Sequence, residues 1–179
     1  IGFNEVLKTD ANVIVLTECD GTFNGYDITK MIPYLDNCDM VIGTRQVQVL
    51  TEKGNQNSMF YVWGNLFIAK LLQLKYFSLT NLGIVELTDV GCSYRAIRKD
   101  SLEKIISQLE SPYAQKVIYR KKGWLFTIFL TMLGISNDLK IVELPITFKK
   151  RIGISKSQAN QKKKGLVYGL NFIWFIISS

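Results

Sequence analysis

Val13-Ile14-Val15-Leu16-Thr17-Glu18-Cys19-Asp20-Gly21-Thr22-Phe23 is an apolar, β-branched run that stops abruptly at two acidic residues. The β-branched part predicts a buried strand, and the Asp-Gly dipeptide predicts a turn directly after it. In an extended chain, side chains two positions apart share a face, so Glu18 and Asp20 converge while Cys19 turns away. Two arrangements satisfy such a pair. One is a strand that ends in an acidic turn. The other is a hard cation, Mg²⁺ or Mn²⁺, held by carboxylate oxygens and sharing its remaining positions with phosphate oxygens.

Working outward, Asp27 to Leu35 has helical apolar spacing interrupted by Pro33, and Asp39 to Arg45 returns to a strand pattern. Together with the first strand this reads as a βαβ unit, which predicts an α/β fold with a mostly parallel, Rossmann-like sheet and flanking helices. Sheets of this kind bind ligands beyond the carboxyl ends of their strands, where both the acidic pair and Gly43-Thr44-Arg45 stand. Gln46 to Ser58 is polar and reads as a loop, and Phe60 to Tyr76 as a long apolar helix. Leu87 to Lys99 reads as extended, and Asp100-Ser101-Leu102-Glu103 resembles a capping box opening a helix to Leu109. Trp124 to Leu133 is apolar on every side, which places it in a core or against a membrane. Leu139 to Phe148 reads as a strand, with Pro145 marking an edge or a bend.

The chain has no histidine, so Ser-His-Asp and Cys-His machinery and histidine-ligated metals are excluded. Its three cysteines form no CxxC and no framework of pairs, which points to reduced thiols in a cytoplasmic setting. The net charge of +7 is concentrated late, in Lys149, Lys150, Arg151, Lys156 and Lys162-Lys163-Lys164. The run from Gly165 to Ile177 that follows is apolar except for Asn171. A basic flank before an apolar run predicts a juxtamembrane segment at 149–164 and the start of a membrane-associated or transmembrane helix at 165–179, after a partial α/β domain over 1–148. A core helix would show the same apolar run. No RNA- or DNA-binding pattern accompanies the charge, so nucleic acid is not expected as a partner.

Four stretches, VIVLTECDGTF, MVIGTR, TDVGCSYRAIRKD and IVELPITFKKRIGISK, occur in one order. In that order the chain resembles the family-2 glycosyltransferases, within them the dolichyl-phosphate mannose synthase and polyprenyl-phosphate hexosyltransferase group. The first stretch looks like the strand leading into the family's metal-binding DxD, and the second like its Gly-x-Arg strand. The third looks like its D-x-x-S-G-F-R motif and the last like its E-x-P ending in R-x-G-x-S-K. The resemblance implies a GT-A fold, a nucleotide-sugar donor, Mg²⁺ or Mn²⁺ on Glu18 and Asp20, and inverting transfer of a hexose to a polyprenyl phosphate. The implied setting is membrane lipid, with the catalytic part on the cytoplasmic side. The chain departs from the family's pattern at Glu18, where Asp is usual, and at Cys92 and Ser93. It departs again at Asn57-Ser58-Met59-Phe60-Tyr61, which lacks the usual Arg. The front segment that grips the nucleotide base has no counterpart, which implies an N-terminally truncated domain.

Asp89 is the carboxylate expected beside acceptor or metal, although a strand-end residue satisfied by backbone amides would look the same. Arg45, Arg95, Arg151 and Lys156 suit donor or acceptor phosphate oxygens, as they would suit an exposed surface. Gly153 and Ser155 permit a tight turn with exposed amides, a common anion cradle. Glu143, beside Pro145, reads as structural. A saccharide hydroxyl acceptor with Asp89 as base, or a membrane-binding relative without catalysis, stand as the alternatives.

Overall fold

The computed structural model describes residues 2–52, 59–79, 85–119, 123–153 and 162–179. Its centre is a four-stranded sheet of β1 (Val13–Leu16), β2 (Met40–Thr44), β3 (Arg95–Arg98) and β4 (Ile141–Pro145) in the order β1-β3-β2-β4. The pairs β1–β3 and β2–β3 are antiparallel and β2–β4 is parallel. The expected βαβ unit is therefore real in direction, since β1 and β2 run the same way, but its strands are not neighbours. β3 inserts between them with Arg95 opposite both Leu16 and Ile42. The sheet is mixed, with three strands pointing one way and one reversed.

This arrangement gathers the functional candidates. The carboxyl ends of β1, β2 and β4 and the amino end of β3 lie at one end of the sheet. The segments 17–24, 45–52, 87–94 and 146–153 must then emerge together, although they are far apart in sequence.

Local chemistry explains the elements. β2 is buried at every position, as its unbroken apolar run requires of a central strand. At Gly43 a Cβ would stand 2.8 Å from Ile146 Cδ1, so any larger residue would force the Ile146 side chain to move. β4 is an edge strand, in keeping with Pro145. The 28–36 region begins as α2 (Ile28–Met31) and tightens to a 3₁₀ turn at Ile32–Asp36, where Pro33 cannot donate to an α-helical ladder. α1 (Gly2–Leu7) precedes β1, and Phe3 stacks on Phe126.

α4 (Lys99–Leu109) buries Leu102, Ile105 and Leu109 at helical spacing. It begins a residue before the predicted cap: Asp100 sits in its first turn, where its carboxylate accepts from Ser101 N and binds Arg98. Only Arg95–Arg98 of the expected extended stretch 87–99 is strand. α5 (Phe126–Ser136) is buried nearly all round, as its uniform apolarity predicts, and Gly134 lets it approach Met40 and Ile141 closely. Residues 53–58 of the expected loop lie outside the described residues.

α3 (Met59–Lys75) and α6 (Lys162–Ser178) pack on each other, and Lys75 Nζ donates to Ile176 O at 2.7 Å. Phe175 and Ile176 of α6 enter the main core. Both helices also present large apolar side chains outward, including Trp63, Phe67, Leu170 and Trp174. Among the described residues no helix is long and apolar enough to cross a membrane. α6, the segment expected to begin one, is a 17-residue helix resting on the domain.

Candidate functional site

The acidic pair stands immediately beyond β1. Its turn is shaped by Asp20 itself: Oδ1 accepts from Thr22 N at 3.0 Å and from Thr22 Oγ1 at 2.5 Å. Gly21 takes a φ of +78°, a left-handed conformation that glycine adopts without steric cost. Phe23 then stacks on Tyr94 at 4.9 Å, and Tyr94 OH donates to Asn24 O, tying the turn to the segment before β3. From that segment Ser93 Oγ donates to Glu18 Oε1 at 2.6 Å.

Arg151 comes from the opposite side. Its Nη2 lies 2.6 Å from Asp20 Oδ2 and 3.3 Å from Glu18 Oε2. Asp20 Oδ2 is buried and, among the described residues, makes no aligned hydrogen bond, so the 2.6 Å approach is a charge contact. Burial works against the Asp20 carboxylate. The hydrogen bonds from Thr22 and the Arg151 charge outweigh it and hold the carboxyl below its usual range.

Glu18 and Asp20 thus converge on one guanidinium, although they lie in the turn beyond β1 and not in the extended strand expected to align them. Their oxygens are hard donors, one of them buried without a hydrogen bond, which suits Mg²⁺ or Mn²⁺. Among the described residues no third acidic or sulfur side chain completes a protein-only cage, so remaining positions would fall to substrate oxygens or water.

A second cluster stands beyond β2. Asp89 is fully buried, and Arg45 grips it through Nε to Oδ2 at 2.6 Å, Nη2 to Oδ1 at 2.7 Å and backbone N to Oδ2 at 3.1 Å. Burial disfavours the Arg45 charge, but the facing carboxylate more than compensates and raises its pKa. Asp89 is placed in turn by Glu143 of β4. Glu143 accepts Asp89 N at 2.8 Å on Oε1, and Thr88 N and Thr88 Oγ1, both at 2.7 Å, on Oε2. Burial pushes the Glu143 carboxyl up against those same hydrogen bonds. The one proton of Thr88 Oγ1 goes to Glu143, so Thr44 Oγ1 must donate across their 2.8 Å contact. Residues 87–89 are therefore fixed by side chains in place of a strand ladder.

Arg45 faces a groove of about 680 Å³ between α3 and α6. Its walls include Phe60, Trp63, Phe67, Trp124, Tyr168 and Phe172, with Gly91 near the Arg45 end. Among the described residues Arg45 is the one charged residue in the lining. Such a groove suits a long apolar ligand with an anionic end.

The predicted residues thus divide. Glu18, Asp20 and Arg151 come together, and Arg45 and Asp89 come together beside them. Asp89, expected as catalytic, has both oxygens engaged by Arg45 and no exposed surface, so its place is that of a support for Arg45. Arg95, expected at phosphate, is 1% exposed and donates to Cys92 O, Val90 O and Thr131 Oγ1. It staples the 90–92 loop to α5, with burial lowering it to about 10, and a phosphate has no access to it. Ser155 and Lys156 lie outside the described residues. Sequence reasoning missed Ser93 and the anchoring by Glu143, which only tertiary contacts reveal, and Thr22, whose bonds to Asp20 are a local turn that the Asp-Gly-Thr order could have signalled. The groove did leave a signal, in the aromatic pairs Trp63/Phe67 and Tyr168/Phe172 at i, i+4 spacing.

The chain is 29% identical over 168 residues to a protein named polyprenol monophosphomannose synthase from Mycolicibacterium smegmatis, covering 92% of this chain and 56% of that protein. It is 28% identical over 159 residues to one named undecaprenyl-phosphate mannosyltransferase from Micrococcus luteus, covering 87% and 57%. No family model matches. The chain thus spans a little over half the length of these relatives.

Proposed function

We propose that this chain, a homologue of family-2-like polyprenyl-phosphate mannosyltransferases, belongs to an inverting hexosyltransferase that uses a nucleotide-sugar donor and a polyprenyl phosphate. The observation that carries the reading is the apolar groove ending at a single guanidinium, beside a pair of convergent carboxylates. An isoprenoid chain fits the aromatic walls, and its phosphate fits the positive charge of Arg45, whose Nε and Nη2 are held in place by Asp89. Exposed apolar faces on α3 and α6 suit the surface of a bilayer, with Lys162 to Lys164 at its cytoplasmic side.

The chemistry asks little of the protein beyond placement. The phosphate oxygen of the acceptor attacks the sugar's anomeric carbon as the bond from that carbon to the donor diphosphate breaks, and one displacement inverts the centre. A phosphate is already an anionic nucleophile at neutral pH, so no general base is needed, consistent with a chain without histidine. Glu18 and Asp20 would hold a divalent ion, whose chemistry is to neutralise the departing diphosphate as a Lewis acid. Ser93 and Thr22 orient the two carboxylates, while Glu143 and Asp89 orient Arg45. The full burial of Asp89 against Arg45 argues against a saccharide acceptor activated by Asp89.

The test is an assay of the full-length protein with nucleoside-diphosphate mannose and undecaprenyl phosphate, against a panel of saccharides. Transfer to the lipid phosphate, lost in Arg45→Ala, is expected. Transfer to saccharides alone overturns the reading.

A further inference from the structure

The segment that follows β4 is laid across the acidic turn as a strap. Lys149 N donates to Thr22 O at 2.7 Å and Ile152 N to Asp20 O at 2.9 Å. The Ile152 side chain covers Gly21, where a Cβ would stand 2.7 Å from Ile152 Cδ1. Arg151 lies between these two tethers, so the backbone itself delivers its guanidinium to the carboxylates. Two like charges side by side raise each other's cost of ionisation, and a cation between them removes it. The guanidinium's closest approach is to the one carboxylate oxygen that makes no aligned hydrogen bond. That contact can be exchanged for another cation without stranding a hydrogen bond on Asp20.

We infer that Arg151 is the built-in counter-ion of Glu18 and Asp20, holding the cation position until a divalent ion displaces it. The inference rests on the reading of those two carboxylates as cation ligands. It gives the pair an occupant that must leave, so a bare divalent ion binds weakly. An ion arriving with a diphosphate binds better, because the displaced guanidinium then meets phosphate oxygens that its fork fits equally well. Ion and donor are thereby coupled through one side chain, and each favours the other's binding.

The test is Mn²⁺ binding to this chain without nucleotide, followed by the loss of the free-ion paramagnetic resonance signal. If Arg151 occupies the position about nine-tenths of the time, removing it tightens Mn²⁺ binding about tenfold, since apparent affinity scales with the competent fraction. Arg151→Gln is expected to show that gain. Arg151→Lys, which keeps the charge and loses the fork, should fall between the two and also serves if the Gln variant fails to fold. Equal or weaker Mn²⁺ binding by both variants overturns the counter-ion role, provided Glu18→Gln and Asp20→Asn still abolish binding. If those two leave Mn²⁺ binding unchanged, or no variant binds Mn²⁺, the cation-ligand reading fails and the counter-ion role fails with it.

Discussion

Replacing Asp89 by Asn isolates the contribution of the Arg45 support with little change of shape. In the wild type one carboxylate takes three donors from Arg45: backbone N and Nε on Oδ2, and Nη2 on Oδ1. Asparagine keeps one acceptor oxygen and turns an NH₂ toward the third donor, so a hydrogen bond becomes a donor–donor clash and a buried charge loses its partner. Breaking a fully buried pair from one side costs about 3–5 kcal/mol. Arg45 keeps 15% exposure and Asn keeps one acceptor, so about 2–3 kcal/mol is the appropriate figure here. At about 2–4 °C per kcal/mol for a chain of this size, the melting temperature should fall by about 4–12 °C. In full-length protein the KM for undecaprenyl phosphate should rise about tenfold, the worth of one charge-assisted hydrogen bond, with kcat changed less than about threefold. Differential scanning fluorimetry and a lipid-concentration series measure the two effects. A kcat loss of about a hundredfold or more at unchanged lipid KM would refute the reasoning, because that is the signature of a lost general base.

Two further outcomes follow from the same structure. Asp20 has its carboxyl held below its ordinary value of 3.8, so its contribution to stability is present above that value and drains away as pH falls through the lower folded one. The melting-temperature gap between wild type and Asp20→Asn, measured in EDTA, should therefore be widest near neutrality and close on acidification below about pH 4; a gap independent of pH contradicts this. Trp63 and Trp174 are 64% and 67% exposed on α3 and α6, so changing both to Glu should reduce sedimentation with anionic liposomes severalfold at unchanged melting temperature, and undiminished sedimentation counts against a bilayer-facing surface.

Much of the sheet was legible because its strands are short β-branched runs bounded by turn residues, as at Val13–Leu16 and Met40–Thr44. Neighbour relations were not legible. Nothing in residues 95–98 announces that they will pair with both β1 and β2, since register is decided by tertiary packing. The same limit explains the site. Glu18 and Asp20 were readable because they follow one strand's end in a turn that the Asp-Gly dipeptide marks, and Arg45 because it directly follows another. The role of Asp89 depended on Glu143, 54 residues away, and that of Arg95 on Thr131, 36 residues away. Burial of a charged side chain is a property of the assembled fold, so Arg95 looked like a ligand-binding cation and is a staple.

The inserted position of β3 also governs how the chain can be made. During synthesis β1 and β2 leave the ribosome before residues 95–98, so neither has β3 beside it until those residues arrive, and β4 docks on β2 only after residue 141. Through that interval both apolar strands lack the partner that β3 supplies, and among the described residues every sheet contact of β1 closes a loop from Val13–Leu16 to Arg95–Arg98. Non-local pairings of this kind slow folding and expose edges that recruit other chains. Nascent chains stalled between β2 and β3 are thus the species expected to aggregate, and translation past Arg98 is the step that supplies the missing partner strand.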